Sequence, residues 1–224
     1  MLKRKISLLM FSLAMSTPLF ATQLTEVGQS EQNKVDGRAA TFIHDTMIAN
    51  KGPVHGAFYW GGKEVKDARH IYMFIDPNCS VCHNMYSYLK KLEPAMTKYK
   101  VQPIIIPIAF LKPDSAGKAA RMVKDGWPAF KENEDKYRAP EIGGVEPLPA
   151  TAENARYFYQ LKTSLDLAMG LATRNGYSST GTPFTIMLDR NGNWDTFMGV
   201  PVTDDLLVRA VTGSKSLPWN GQLK

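Results

Sequence analysis

The stretch FIDPNCSVCHNMY, Phe74 to Tyr86, closes an apolar run and opens a helical one, and it holds both cysteines of the chain. Cys79 and Cys82 are three positions apart, and His83 follows directly. Two signatures overlap here. C-x-x-C at a strand–helix junction reads as a thiol–disulfide redox centre, whereas C-x-x-C-H reads as a covalent haem attachment site. The flanking elements decide between them.

Upstream, HIYMFI (His70 to Ile75) is an apolar run of strand length, stopped by Asp76-Pro77. Downstream, a helix is expected from about Cys79, with Val81, Met85, Tyr88 and Leu92 on one face and a kink or break at Pro94. VQPIIIPIAF, Val101 to Phe110, reads as a second buried strand. Strand, helix and strand in so few residues make a βαβ unit with a parallel pair. GAFYWG ahead of it suggests a short aromatic strand, and residues 112–176 read as mainly helical, broken at Pro113, Pro128 and Ala139 to Pro149. Phe184 to Leu188 and Trp194 to Gly199 then form a hairpin about Asn191-Gly192, and Asp204 to Val211 a last helix. The expected architecture is α/β: a βαβ unit plus a ββα unit in one mixed sheet, with the helical block inserted between them.

The chain start has a different character. Lys3, Arg4 and Lys5 precede an uncharged apolar run to Phe20 and the small residue Ala21, the layout of a signal peptide. Cleavage after Ala21 would lower the formal charge from 27 − 21 = +6 to 24 − 21 = +3. Such a modest surplus, with no basic block interleaved with aromatics, gives no ground for nucleic-acid binding. A helix from Val35 to Met47 is expected after a polar stretch. Export to an oxidising compartment favours disulfides. A single pair closing so short a loop stabilises little, however, so its value lies in reacting.

A cysteine at a helix start faces unsatisfied N–H groups and the positive end of the helix dipole. Both favour a thiolate, so Cys79 is the expected nucleophile and Cys82, one turn further in and more sheltered, the resolving thiol. Ser80, able to donate to a thiolate, Val81, which shields, and His83, if cationic, are expected to tune the redox poise toward oxidising potentials. Thr182-Pro183 stands just before a strand. A cis peptide there would present the Thr182 backbone to an extended substrate.

YMFIDPNCSVCHNMY, then IAFLKPDSAGKAARMV, then GTPFTIMLDRNGNW and MGVP resemble the catalytic domain of the DsbC/DsbG family of bacterial periplasmic disulfide isomerases, nearer its DsbG branch. The resemblance covers about Asp67 to Gly213. It implies a thioredoxin-like fold with an inserted helical subdomain at about 112–176, a cis Pro183, attack by Cys79 on misplaced disulfides, and resolution by Cys82. It also implies exported proteins with non-native disulfides or oxidised thiols as substrates, a periplasmic location, and a DsbD-type membrane reductase as partner. The expected plan is a signal peptide at 1–21, an N-terminal extension with its helix at 22–66, the catalytic domain at 67–213 and a tail at 214–224. Residues 22–66 are too few for the family's complete dimerisation domain, which leaves a homodimer through the N-terminal region open. Ser80-Val81 also differs from the family's usual pair, so the redox potential does not transfer.

Other chemistries fit less well. A c-type haem protein would be a small helical domain, with no use for a βαβ unit or Thr182-Pro183. Four scattered histidines beside one cysteine pair do not make a zinc site, so no metal and no cofactor is expected. A thiol oxidase of the DsbA kind and a non-catalytic client-binding chaperone remain as alternatives. Phe58, Tyr59 and Trp60 could line a client surface for the chaperone, but are expected to pack in the core.

Overall fold

Within the strand Arg69–Ile75, the stretch Ile71 to Ile75 is apolar because both of its faces are covered. The computed structural model describes residues 56–138, 142–188 and 194–199. The expected signal peptide, the helices at 35–47 and 204–211 and the Asn191-Gly192 turn lie outside them. In chain order the elements are β1 (Phe58–Tyr59), β2 (Arg69–Ile75), α1 (Ser80–Tyr99), β3 (Val101–Pro107), α2 (Ser115–Asp125), α3 (Trp127–Lys136), β4 (Tyr137–Arg138), β5 (Ile142–Gly143), a 3-10 turn at Ala152–Asn154, α4 (Ala155–Arg174), β6 (Phe184–Leu188) and β7 (Trp194–Met198).

One sheet runs in the order β1-β3-β2-β6-β7. β2 and β3 are parallel, with Phe74 opposite Ile106, and the crossover is α1. β6 lies antiparallel on the other side of β2, with Phe74 opposite Phe184. Side chains alternate across the pleat. Ile71, Met73, Ile75, Val101 and Ile105 face α1 in one core. Tyr72, Phe74, Ile104, Ile106, Phe184 and Ile186 face Ala168, Leu171 and Ala172 of α4 in a second. A strand buried on two sides loses the polar alternation of a half-exposed one.

The helix of the βαβ unit differs from expectation in two ways. Its buried face is Cys82, Met85, Tyr86, Leu89, Leu92, Ala95 and Met96, whereas Tyr88 is 37% exposed. It also runs unbroken through Pro94. The lost hydrogen bond is outweighed by the burial of Leu92, Ala95 and Met96 on either side of it. β3 ends at Pro107, earlier than the apolar run suggests. Pro103, inside the strand, has no N–H for the neighbouring Trp60 carbonyl. The Gln102 side chain donates to that oxygen instead (2.9 Å) and also to Lys63 O (2.7 Å), so a buried amide closes the polar turn.

The insertion between β3 and β6 contains α2, α3, α4 and an unanticipated two-stranded β4–β5 hairpin. The break expected at Pro128 falls at Gly126, between α2 and α3, and Pro128 lies in the first turn of α3, as suits proline there. A Cβ on Gly117 would come within 2.7 Å of Pro147 Cβ, so only glycine lets α2 approach the loop before the 3-10 turn. Phe58 and Trp60 pack in the core, as expected. They join Trp127, Phe130 and Tyr86 in an aromatic cluster between sheet and insertion.

Candidate active site

Asp76-Pro77-Asn78 leaves the end of β2 and delivers Cys79 to the N-cap of α1. Cys79 has extended backbone angles, and its Sγ accepts the Cys82 N–H at 3.1 Å. Sulfur therefore takes the place usually held by a serine or aspartate oxygen at a helix start. The Cys79 thiol donates to Thr182 O at 3.2 Å, and Cys82 Sγ lies 3.0 Å from Thr182 Oγ1. Thr182-Pro183 is a cis peptide. Two segments about a hundred residues apart thus meet at one pair of sulfurs, both as free thiols. The fold follows from the β2–β6 pairing, and it is not the small helical domain that haem attachment calls for.

Both cysteine residues are 5% exposed, yet burial weighs more on the Cys82 thiol than on the Cys79 thiol, as expected of the more sheltered resolving group. Their acidities diverge. The hydrogen bond with Cys82 draws the Cys79 thiol below its ordinary value, against burial and with help from the N–H groups of Cys82 and Val81 and from Thr182. Burial comes first at Cys82 and pushes its thiol well up, reinforced by the neighbouring Cys79 sulfur. A charge shared by the pair therefore rests on Cys79. Ser80 is exposed and Val81 partly so. The groups that lower Cys79 are the Cys82 thiol first, then the Cys82 N–H, the Thr182 side chain and the Val81 N–H.

His83 points into the insertion. Its Nδ1 lies 3.0 Å from Oε2 of Glu134, whose side chain is 3% exposed against 29% for the imidazole. The ring stacks on Tyr137 at 4.7 Å between centroids. The hydrogen bond to Glu134 raises the His83 value. Burial raises that of Glu134 in spite of the histidine.

Sequence reasoning missed the polar framework beneath the cysteines. Asp76 is 1% exposed. Its carboxylate accepts the N–H groups of Asn78 (2.9 Å), Phe110 (2.8 Å) and Leu111 (3.0 Å) and the Ser115 hydroxyl (2.8 Å). Its own N–H donates to Thr182 Oγ1 at 3.0 Å, and its carbonyl accepts the Cys79 N–H. Asn78 donates to Asp114 and Ser115 and accepts from the buried Lys118 ammonium at 2.9 Å. Lys118 also holds Gly143 O (2.7 Å) and Asp114 (2.7 Å). Asn133 donates to Pro77 O at 3.0 Å. The one signal for this network was the KPDS turn, Lys112 to Ser115, whose acid and hydroxyl both reach Asn78. Nothing in the charged run of α3 singled out Asn133 or Glu134.

No family model matches the chain. It is similar to the thiol:disulfide interchange protein DsbG of Pseudomonas aeruginosa, with 27% identity over 142 residues. That match takes in 62% of this chain and 49% of the relative, so the chain spans about half the length of the curated protein it resembles. Among solved structures, a linker-deletion mutant of ScsC from Proteus mirabilis superposes with a TM-score of 0.56 at 16% identity, covering 90% of this chain and 98% of that one. The same protein in a transitional conformation gives 0.53 at 20% identity, covering 87% and 88%. The fold is thioredoxin-like.

Proposed function

We propose that this chain is a thiol–disulfide oxidoreductase of exported proteins, with Cys79 as nucleophile and Cys82 as resolving thiol. One observation carries the reading: Cys79 sits at the cap of α1 with its sulfur receiving the Cys82 N–H and facing Thr182, while burial keeps Cys82 protonated. The Cys79 thiolate attacks one sulfur of a substrate disulfide, forming a mixed disulfide and expelling the other sulfur as a thiolate, which takes up a proton. Cys82 loses its proton and attacks Cys79 Sγ. The Cys79–Cys82 disulfide forms, the second substrate thiolate leaves, and two electrons have passed to the substrate. If the expelled thiolate instead attacks another substrate disulfide and ultimately displaces Cys79, the substrate is isomerised with no net electron transfer.

Thr182 serves both steps. Its carbonyl can accept from a substrate strand once the Cys79 S–H is gone, and its hydroxyl, 3.0 Å from Cys82 Sγ, can donate to the resolving thiolate. The likeness to DsbG supports misplaced disulfides or oxidised thiols as substrates, a periplasmic location and a membrane reductase of the DsbD kind as the electron source. Among the described residues, no helix is long and apolar enough to cross a membrane.

Refolding of scrambled ribonuclease, set against oxidation of the reduced enzyme, tests the reading. Faster recovery from the scrambled form, abolished by Cys79→Ser, is the expected result. A greater effect on oxidation would make the protein a thiol oxidase. Retention of either activity by Cys79→Ser would remove the redox function altogether.

A further inference from the structure

Three consecutive residues near the end of α3 grip the reactive segment. Asn133 donates to Pro77 O, ahead of the cysteines (3.0 Å). Glu134 binds His83, just after them (3.0 Å), and Asp135 accepts from Tyr86 OH, one turn on (3.3 Å). Asn133 also donates to the second Glu134 oxygen at 3.2 Å. The middle contact is the unusual one. A carboxylate with 3% exposure needs a compensating partner, while a helix N-terminus disfavours a cation. His83 is in the first turns of α1, its N–H donating to Cys79 O at 3.1 Å.

Resting on the redox reading above, we propose that Glu134 is a positioning residue of the site, which holds the His83 ring as a cation beside the Cys79 cap and thereby increases the reactivity of Cys79. The groups facing the imidazole are Glu134 from α3, Arg138 and Tyr137 from β4, and Tyr86 from α1. The hydrogen bond and the charge of Glu134 favour protonation of the ring, whereas burial and Arg138 oppose it. Asp135 is the other acid acting on Glu134, and it is itself engaged by Lys131. Protonated His83 adds to the N–H groups of Val81 and Cys82 as positive potential at the Cys79 sulfur. The insertion thus reaches the chemistry through this ring as well as through Asn133 on Pro77 O and Lys118 on Asn78.

The test measures iodoacetamide alkylation of Cys79 from pH 4 to 9 in a Cys82→Ser background, where only one thiol reacts. Glu134→Gln and His83→Gln should each slow alkylation at pH 6 about three- to tenfold, the effect of half to one unit at the thiol. The double variant should be no slower than either single one. Glu134→Asp, which keeps the charge, should recover part of the rate. The imidazole proton resonances of His83 should titrate at lower pH in Glu134→Gln than in the parent. Coincident alkylation profiles for the parent and Glu134→Gln, or full additivity in the double variant, would overturn the proposal. A parent profile centred near the ordinary cysteine value of ~8.5 would overturn the redox reading from which it starts.

Discussion

The sheet and the junction beneath the cysteines are held together in opposite ways. Across β2, the residues from Ile71 to Ile75 are at most 5% exposed and all apolar, so water exclusion fixes that region. At the junction, Asp76, Asn78, Ser115, Lys118, Asn133 and Glu134 are as well buried and all polar, each held by hydrogen bonds to another segment. Burial is non-directional and tolerates small shifts of position. A hydrogen bond weakens steeply with distance and angle. A fold needs the first kind of force, and a sulfur that must meet Thr182 at 3.2 Å needs the second.

The sharpest break between the regions is expected at Cys79. Cys79→Ser should abolish disulfide reduction while moving the urea midpoint by the equivalent of about 1 kcal/mol or less, since a hydroxyl can still donate to Thr182 O. Cys82→Ser should retain attack but accumulate mixed disulfides with substrate, visible as slower bands on non-reducing gels. A Cys79→Ser variant that unfolds readily would mean that the cysteine is part of the scaffold, and the contrast would fail.

In the sheet the order of effects reverses. Phe74→Ala leaves a cavity between Phe184 and α4, and should cost about 3–5 kcal/mol in urea unfolding. The fraction that stays folded should keep the parent's alkylation profile, because Phe74 faces away from α1. Lys118→Met should cost less, about 1–3 kcal/mol, for leaving Asn78 Oδ1 and Gly143 O without their donor. It should nevertheless slow alkylation of Cys79, as Asn78 carries the cap into place. If Phe74→Ala disturbed the thiol profile more than Lys118→Met, placement of the site would depend on the core rather than on its polar frame.

The same contrast explains which parts of the molecule were legible in the sequence. HIYMFI and VQPIII announce buried strands because apolar runs leave a one-dimensional trace, and the C-x-x-C motif and Thr182-Pro183 are fixed short patterns. The buried face of α1 was misread by choosing Tyr88 over Leu89, since both fit a helical period and only the position of the sheet separates them. Asp76 and Glu134 were invisible for a deeper reason. A buried carboxylate and an exposed one are the same letter, and the partners that bury Asp76 are at positions 110, 111, 115 and 182. Tertiary approach alone makes them a group.

The smallest expected effect is the pH dependence of stability, which reads the junction through its His83–Glu134 pair. His83 is more basic folded than unfolded, through its bond to Glu134. Its contribution is therefore complete below about pH 6.5, the unfolded value, and is lost as pH rises through the higher folded value. Glu134, raised by burial, also binds its proton more tightly when folded, so its contribution has the same sign. Cys79, lowered in the fold, acts in the opposite sense as pH rises, and Asp114, lowered chiefly by Lys118, loses its contribution only in acid. Because His83 itself lowers Glu134, comparison of the parent with the His83→Gln/Glu134→Gln double variant isolates the pair. Between pH 5.5 and 8.5 the parent should lose stability relative to the variant, by about 1 kcal/mol or less for so partly exposed a pair. Urea unfolding at three pH values measures it. A parent that gains on the variant as pH rises would show that the two side chains are not paired in solution, and the junction would then be held by its other polar contacts, those of Asp76, Asn78, Lys118 and Asn133.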